Sequence, residues 1–296
     1  MEEYFFKVAG FVFGVTVPRG TDIEKMLPSF RSFRYSKTLE KEPLFMFYVH
    51  YEDLSEKPDT EFLDESLNDM GRVRLYSFSG GYYIRISFRN DEMEHCAISD
   101  SCFKRTDAYI KKEDSYSGDV VSSLLRMVYS QAIIPHGGIS VHASSVILDG
   151  KAYLFMGKSG TGKSTHSRLW IKSFPGCQLM NDDNPTILIS NDIVMAAGTP
   201  WSGKTPCYKD VIAPVGGIVK LKQAKFNIFL TCDEFQAFIN VLSGCSVIRK
   251  SVILQNDMHR TLARVSELVT VGVMECLPDE EAANVCRNGI EKINDK

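Results

Sequence analysis

Eight consecutive residues, Gly157-Lys158-Ser159-Gly160-Thr161-Gly162-Lys163-Ser164, place two glycines, a lysine and a hydroxyl at the spacing G-x-x-x-x-G-K-[ST], with a third glycine between. Each residue type has a chemical reason. Glycine lets the main chain turn its N–H groups inward with no Cβ in the way, and a helix starting at the end of the loop adds the positive end of its dipole. Lys163 then offers a mobile cation to the β and γ phosphates of a nucleotide, and Ser164 offers a hard oxygen to Mg²⁺. Thr165, next on the helix, is grouped with the loop as phosphate-binding. The segment is expected to hold a nucleoside triphosphate, with ATP and Mg²⁺ as the cofactors. The bland alternative is a glycine-rich strand-to-helix turn.

A triphosphate–Mg²⁺ pair also calls for a carboxylate near the loop, commonly at a strand end. Asp182 and Asp183 follow the short apolar run Leu179-Met180, where the chain would return through a sheet after the loop helix. Two adjacent carboxylates can divide the work, one coordinating metal and one accepting a proton from an attacking hydroxyl. Asn181-Asp182-Asp183-Asn184-Pro185 is also good turn chemistry. His142, in Ser140-Val141-His142-Ala143, lies on a strand expected to run antiparallel to the loop strand; it can meet the γ phosphate, support an aspartate, or be a core histidine. His136 stands before Gly137-Gly138 and has a weaker claim.

Gly198-Thr199-Pro200-Trp201-Ser202-Gly203-Lys204 breaks regular structure, and Trp201, Lys204, Tyr208 and Lys209 bring an aromatic surface and two cations into one loop. Such a loop can close over a phosphate or an acceptor, which makes Trp201 and Lys204 substrate-binding candidates; equally, Trp201 can anchor a surface loop by packing. Arg168, on the loop helix, is expected to face solvent.

These residues need elements to position them. Ala152–Met156 reads as the strand entering the loop and Ser164–Ser173 as the helix leaving it, ending near Pro175-Gly176. Ile139–Leu148 reads as one strand, joined to the loop strand through Asp149-Gly150, a strong hairpin signal. Thr186–Ser190, Ile193–Ala197, Gly217–Leu221, Phe226–Leu230 and Leu268–Cys276 read as strands, and Pro278–Glu291 as a helix. Upstream, Phe11–Val17, Leu44–Tyr51, Val73–Phe78 and Tyr82–Phe88 alternate in the manner of antiparallel strands. Lys111–Gly118 suits a linker, and Val120–Ala132 has helical spacing. The expected class is α/β (α+β), with a β-rich N-terminal domain over residues 1–118 and a P-loop kinase-like domain with a mixed sheet over residues 119–296.

The chain has 296 residues, 44% of them hydrophobic, enough for a sizeable core. Its formal net charge of -3 argues against general nucleic-acid binding, which needs clustered Lys and Arg. Eight scattered cysteines include no C-x-x-C pair and no zinc-type spacing, so reduced thiols are expected. Glu2, Glu3 and Lys7 do not fit a signal peptide, and no stretch approaches a membrane span. The expected compartment is cytoplasmic, with no membrane partner.

The loop, His142 before it and Asp182-Asp183 after it together resemble the catalytic core of the HPr kinase/phosphorylase family, whose fold is shared by phosphoenolpyruvate carboxykinases with their S-G-T-G-K loops, as in Ser159 to Lys163 here. The likeness covers about the second half of the chain. It implies an ATP-dependent phosphotransferase acting on a hydroxyl, Ser on a protein or peptide, with Asp182 as general base, Asp183 assisting Mg²⁺ and His142 as the active-site histidine. The family's E-x-R-G segment is missing, and the Gly198–Lys204 stretch stands instead, which puts HPr as substrate and phosphorolysis in doubt; the arrangement is more similar to HPr-kinase-like proteins found beside peptide-modifying pathways. The oxaloacetate and Mn²⁺ residues of the carboxykinases are not found. The family's frequent oligomers imply self-association. A non-catalytic nucleotide-sensing module or a simple ATPase is the alternative; N-K-x-D, the signature of GTP recognition, is missing.

Overall fold

Apolar–polar alternation in the first third of the chain produces strands, as the sequence predicts, but not all of them pair antiparallel. The computed structural model describes residues 1–36, 41–68, 71–88, 93–203 and 205–294, and the chain divides into two units, Met1–Ile133 and Ile134–Lys296. In the first unit β1 (Glu2–Val8), β2 (Phe11–Val17), β3 (Met46–His50), β4 (Glu61–Asn68), β5 (Gly71–Phe78), β6 (Gly81–Ser87), β7 (His95–Asp100) and β8 (Arg105–Tyr109) form one sheet in the order β1-β2-β3-β8-β7-β6-β5-β4. β3 lies between β2 and β8 and is parallel to both, so the sheet is mixed.

After the four-residue α1 (Ile23–Met26), the next α-helix is α2 (Ser117–Ala132), whose Val121, Leu124, Leu125, Val128 and Tyr129 are buried. The Tyr129 ring is 6.0 Å from that of Phe13 on β2. That packing puts α2 in the first unit, which ends at Ile133. The physical reason is that a helix goes where its apolar stripe is covered, whatever the composition of the segment before it.

The second unit contains β9 (Gly138–Ser140), β10 (Ala143–Leu148), β11 (Lys151–Met156), α3 (Lys163–Ser173), β12 (Gln178–Asn181), β13 (Thr186–Ser190), β14 (Ile193–Ala197), β15 (Ile212–Gln223), β16 (Ile228–Thr231), α4 (Glu234–Leu242), α5 (Val252–Leu268), β17 (Val271–Cys276) and α6 (Glu280–Asn294). β10 and β11 form the expected hairpin, with Asp149 and Gly150 at φ of 50° and 75°. β11 runs parallel to β15, and β15 parallel to β17; β14 and β12 join antiparallel, giving a second mixed sheet and a mixed α/β protein. A core of Phe155, Val219, Leu221 and Met274 from the sheet meets Trp170 of α3 and Ala282, Ala283, Cys286 and Ile290 of α6.

The expected single strand Ile139–Leu148 is two strands. β9 pairs with β13, whereas β10 pairs with β11 and β12, so the chain changes partners at Val141-His142. There the amide of Val141 donates to Pro185 O and that of His142 to Gly244 O.

Candidate functional site

The loop Gly157–Gly162 joins β11 to α3. Gly157 and Gly162 have φ of 153° and 107°, where L side chains are strained, and a Cβ on Gly157 would stand 3.2 Å from Thr161 Cβ and 3.3 Å from Leu221 O. Gly162 is the N-cap of α3 and supplies no side-chain cap. The first intrahelical bond is His166 N to Gly162 O at 2.8 Å, so the amides of Lys163, Ser164 and Thr165 precede it at the positive end of the helix. Lys158, Ser159, Gly160 and Thr165 are exposed, while Thr161 and Ser164 are half-buried. Inside the loop, Thr161 N donates to Lys158 O, and Gln223 Nε2 donates to Gly160 O from β15.

Lys163 turns back under the loop. Its Nζ donates to Gly157 O at 3.0 Å and lies 2.9 Å from His142 Nε2. An ammonium has no lone pair, so Nε2 accepts and the ring proton sits on Nδ1, which is 3.1 Å from Asp183 Oδ1. Asp183, His142 and Lys163 therefore form one connected chain. Burial pushes the Lys163 ammonium below its ordinary pKa, opposed by the charges of Asp183 and Asp182.

Asp182 takes a different position from its neighbour. It is 5% exposed; Oδ1 accepts from Ser144 Oγ at 2.7 Å and Oδ2 from Thr205 N at 3.2 Å. Ser144 Oγ is also 2.6 Å from Ser167 Oγ. Ser144 spends its one proton on the carboxylate, so Ser167 donates to it. The buried chain Ser167, Ser144, Asp182 thus ties the helix after the glycine loop to the aspartate turn.

The turn is organised by Asn181, which is fully buried. Its Oδ1 accepts from the amides of Asp183 and Asn184, and its Nδ2 donates to Thr199 O, Thr199 Oγ1 and Trp201 O. Trp201 is 5% exposed, which agrees with the packing alternative for its ring. Lys204 lies outside the described residues. Lys209 donates to Leu179 O, and Arg168, exposed as expected, reaches Thr205 Oγ1 at 3.3 Å. His136 is exposed, on the turn before β9.

Asn181, Ser144, Ser167 and Thr205 were not singled out from the sequence. Their importance lies in contacts between residues 18 to 38 positions apart, and only the Asn at the head of an Asp-Asp turn carried a local signal.

The donor set suits Mg²⁺ of the kind that arrives with a nucleotide. Ser164 and Asp183 offer hard oxygens, and among the described residues no group of three or more His, Cys, Asp or Glu forms a closed cage. Mg²⁺ commonly binds through one or two such oxygens plus substrate phosphates and water. Among the described residues no helix is long and apolar enough to cross a membrane, and the eight cysteines are free thiols.

No protein-family model matches the chain, and no curated protein matches it in sequence. Among solved structures, the Hpr(Ser) kinase/phosphatase from Coxiella burnetii is similar over 52% of this chain and 98% of its own, at 14% identity and a TM-score of 0.32. That is a distant structural relationship, too slight to bear on chemistry.

Proposed function

We propose that this protein is an ATP- and Mg²⁺-dependent kinase that transfers the γ-phosphate to a hydroxyl, Ser on a protein or peptide. The observation that carries this reading is the convergence of Lys163 with His142 and Asp183 at the positive end of α3, beside the anchored Asp182. Residues Gly157 to Thr165 hold the phosphates through main-chain amides, and Lys163 leaves its carbonyl partners for phosphate oxygens. When bound, Mg²⁺ supplies charge neutralisation on the β and γ phosphates, and Ser164 and Asp183 are the residues that would hold it. Asp182, fixed by Ser144 and Thr205, keeps two of its roughly four lone-pair sites free to accept the acceptor's proton. His142 keeps Lys163 and Asp183 in register.

A second reading, a nucleotide-sensing module without turnover, is favoured by the burial of Asp182 under Thr205. Incubation with γ-labelled ATP, Mg²⁺ and cell lysate separates the two. Label on a polypeptide, lost in Asp182→Asn, supports the kinase; tight ATP binding with neither transfer nor release of label supports the module.

A further inference from the structure

The segment from Thr199 to Gly203, continued at Thr205, lies directly on the aspartate turn. A Cβ on Gly203 would stand 2.8 Å from Asp182 O, closer than side-chain carbons approach backbone oxygens, so only glycine permits this contact. One side chain sets the register. Asn181 spends its acceptor on the turn, at 3.1 Å from Asp183 N and 2.8 Å from Asn184 N. Its donors go to the segment, at 3.2 Å from Thr199 O and 3.0 Å from Trp201 O. Thr199 Oγ1 returns a bond to Asn184 O at 2.9 Å, and Thr205 N ends the contact on Asp182 Oδ2. At the same junction Asn184 Nδ2 is buried with no hydrogen-bond partner among the described residues, a donor that a bound acceptor or water would satisfy.

We propose that Asn181 is a positioning residue that registers Thr199–Gly203 and Thr205 against Asp182, and that these residues form the wall on which the hydroxyl acceptor is held. This rests on the phosphotransfer reading given above. Asn181 touches neither nucleotide nor acceptor; it acts by fixing the distance between the carboxylate and the wall. A displacement of about 1 Å at such a site is enough to cost about 10²-fold in rate.

Asn181→Asp separates the two halves of the function, because it keeps the oxygen that orders the turn and removes the amide donor that holds the wall. Thr199→Val, which removes the wall's hydroxyl and leaves Asn181 in place, guards against a folding failure of the first variant. For each, Mg·ATP affinity is measured by calorimetry and γ-label transfer to lysate polypeptides is followed beside wild type. The expected result is affinity within about twofold of wild type and transfer reduced by about 10²-fold in Asn181→Asp, with a smaller loss in Thr199→Val. A merely structural role would lower nucleotide affinity in step with transfer, and that result overturns the proposal. So does wild-type transfer in both variants. If wild type itself neither binds Mg·ATP nor transfers label, it is the phosphotransfer reading that fails.

Discussion

The ammonium of Lys163 rests 2.9 Å from Nε2 of His142, held there because the imidazole's other nitrogen is engaged by Asp183. The lysine that would reach for phosphate is thus stored against its own site, half-buried and with its pKa lowered by that burial. His142→Ala removes the middle of this chain, disconnecting Lys163 from Asp183, while leaving the glycine loop untouched. The expected outcome is a loss of about 10²-fold in phosphate transfer, with Mg·ATP affinity changed by less than about threefold, read from label transfer and calorimetry.

Asp182→Asn keeps the shape of the side chain and removes its basicity. Nucleotide binding is expected to persist while transfer falls by about 10²–10⁴-fold, the range for a general base. Full transfer in this variant would contradict the assignment of Asp182. Asp183→Asn is expected instead to raise the Mg²⁺ concentration needed for half-maximal transfer.

Ser144→Ala leaves the Ser167 hydroxyl without its acceptor and Asp182 Oδ1 without its donor, in a region where all three residues are buried. Orphaning such groups costs about 1–3 kcal/mol. Chemical denaturation at pH 7 should show a loss in that range, whereas a surface Ser→Ala control such as Ser159→Ala should show almost none.

His166, on the buried face of α3, accepts a bond from Trp170 Nε1 at 3.1 Å and packs edge-on to Phe155. Burial pushes its pKa down to about 4, from an ordinary 6.5. Because the folded value is depressed, the unfolded chain binds the proton first as pH falls. This contribution to stability is therefore complete above pH 6.5, erodes on acidification, and is gone near pH 4, amounting to about 3 kcal/mol across the window. Denaturant unfolding from pH 7 to pH 4 should show that decline, flattened in His166→Phe.

Much of the site's local framework was legible because it is local. The Gly157–Ser164 spacing, the Asp149-Gly150 turn, and the strands Thr186–Ser190 and Ile193–Ala197 are each specified by residues adjacent in sequence, and β13 and β14 have the expected bounds. What failed to show was non-local. The parallel placement of β3 between β2 and β8, the covering of α2 within the first unit, and Asn181's bonds to Thr199 and Trp201 all depend on partners far along the chain. α4 and α5 were not anticipated although Asp233 with Gln236, and Ser251, cap their starts. On α5, the exposed apolar residues Val252 and Ile253 blur the stripe made by Leu254, Met258, Leu262 and Val265. β4 was missed because Glu61, Asp64 and Glu65 leave no apolar alternation in that strand.

Calorimetric titration of the full chain with Mg·ATP, beside Lys163→Ala, tests the account most directly. Saturable binding by wild type with Kd between about 1 μM and 1 mM, weakened at least about tenfold in the variant, is the expected result. No heat of association at millimolar Mg·ATP, or equal binding by the two proteins, would contradict the claim that residues 157–165 hold a triphosphate.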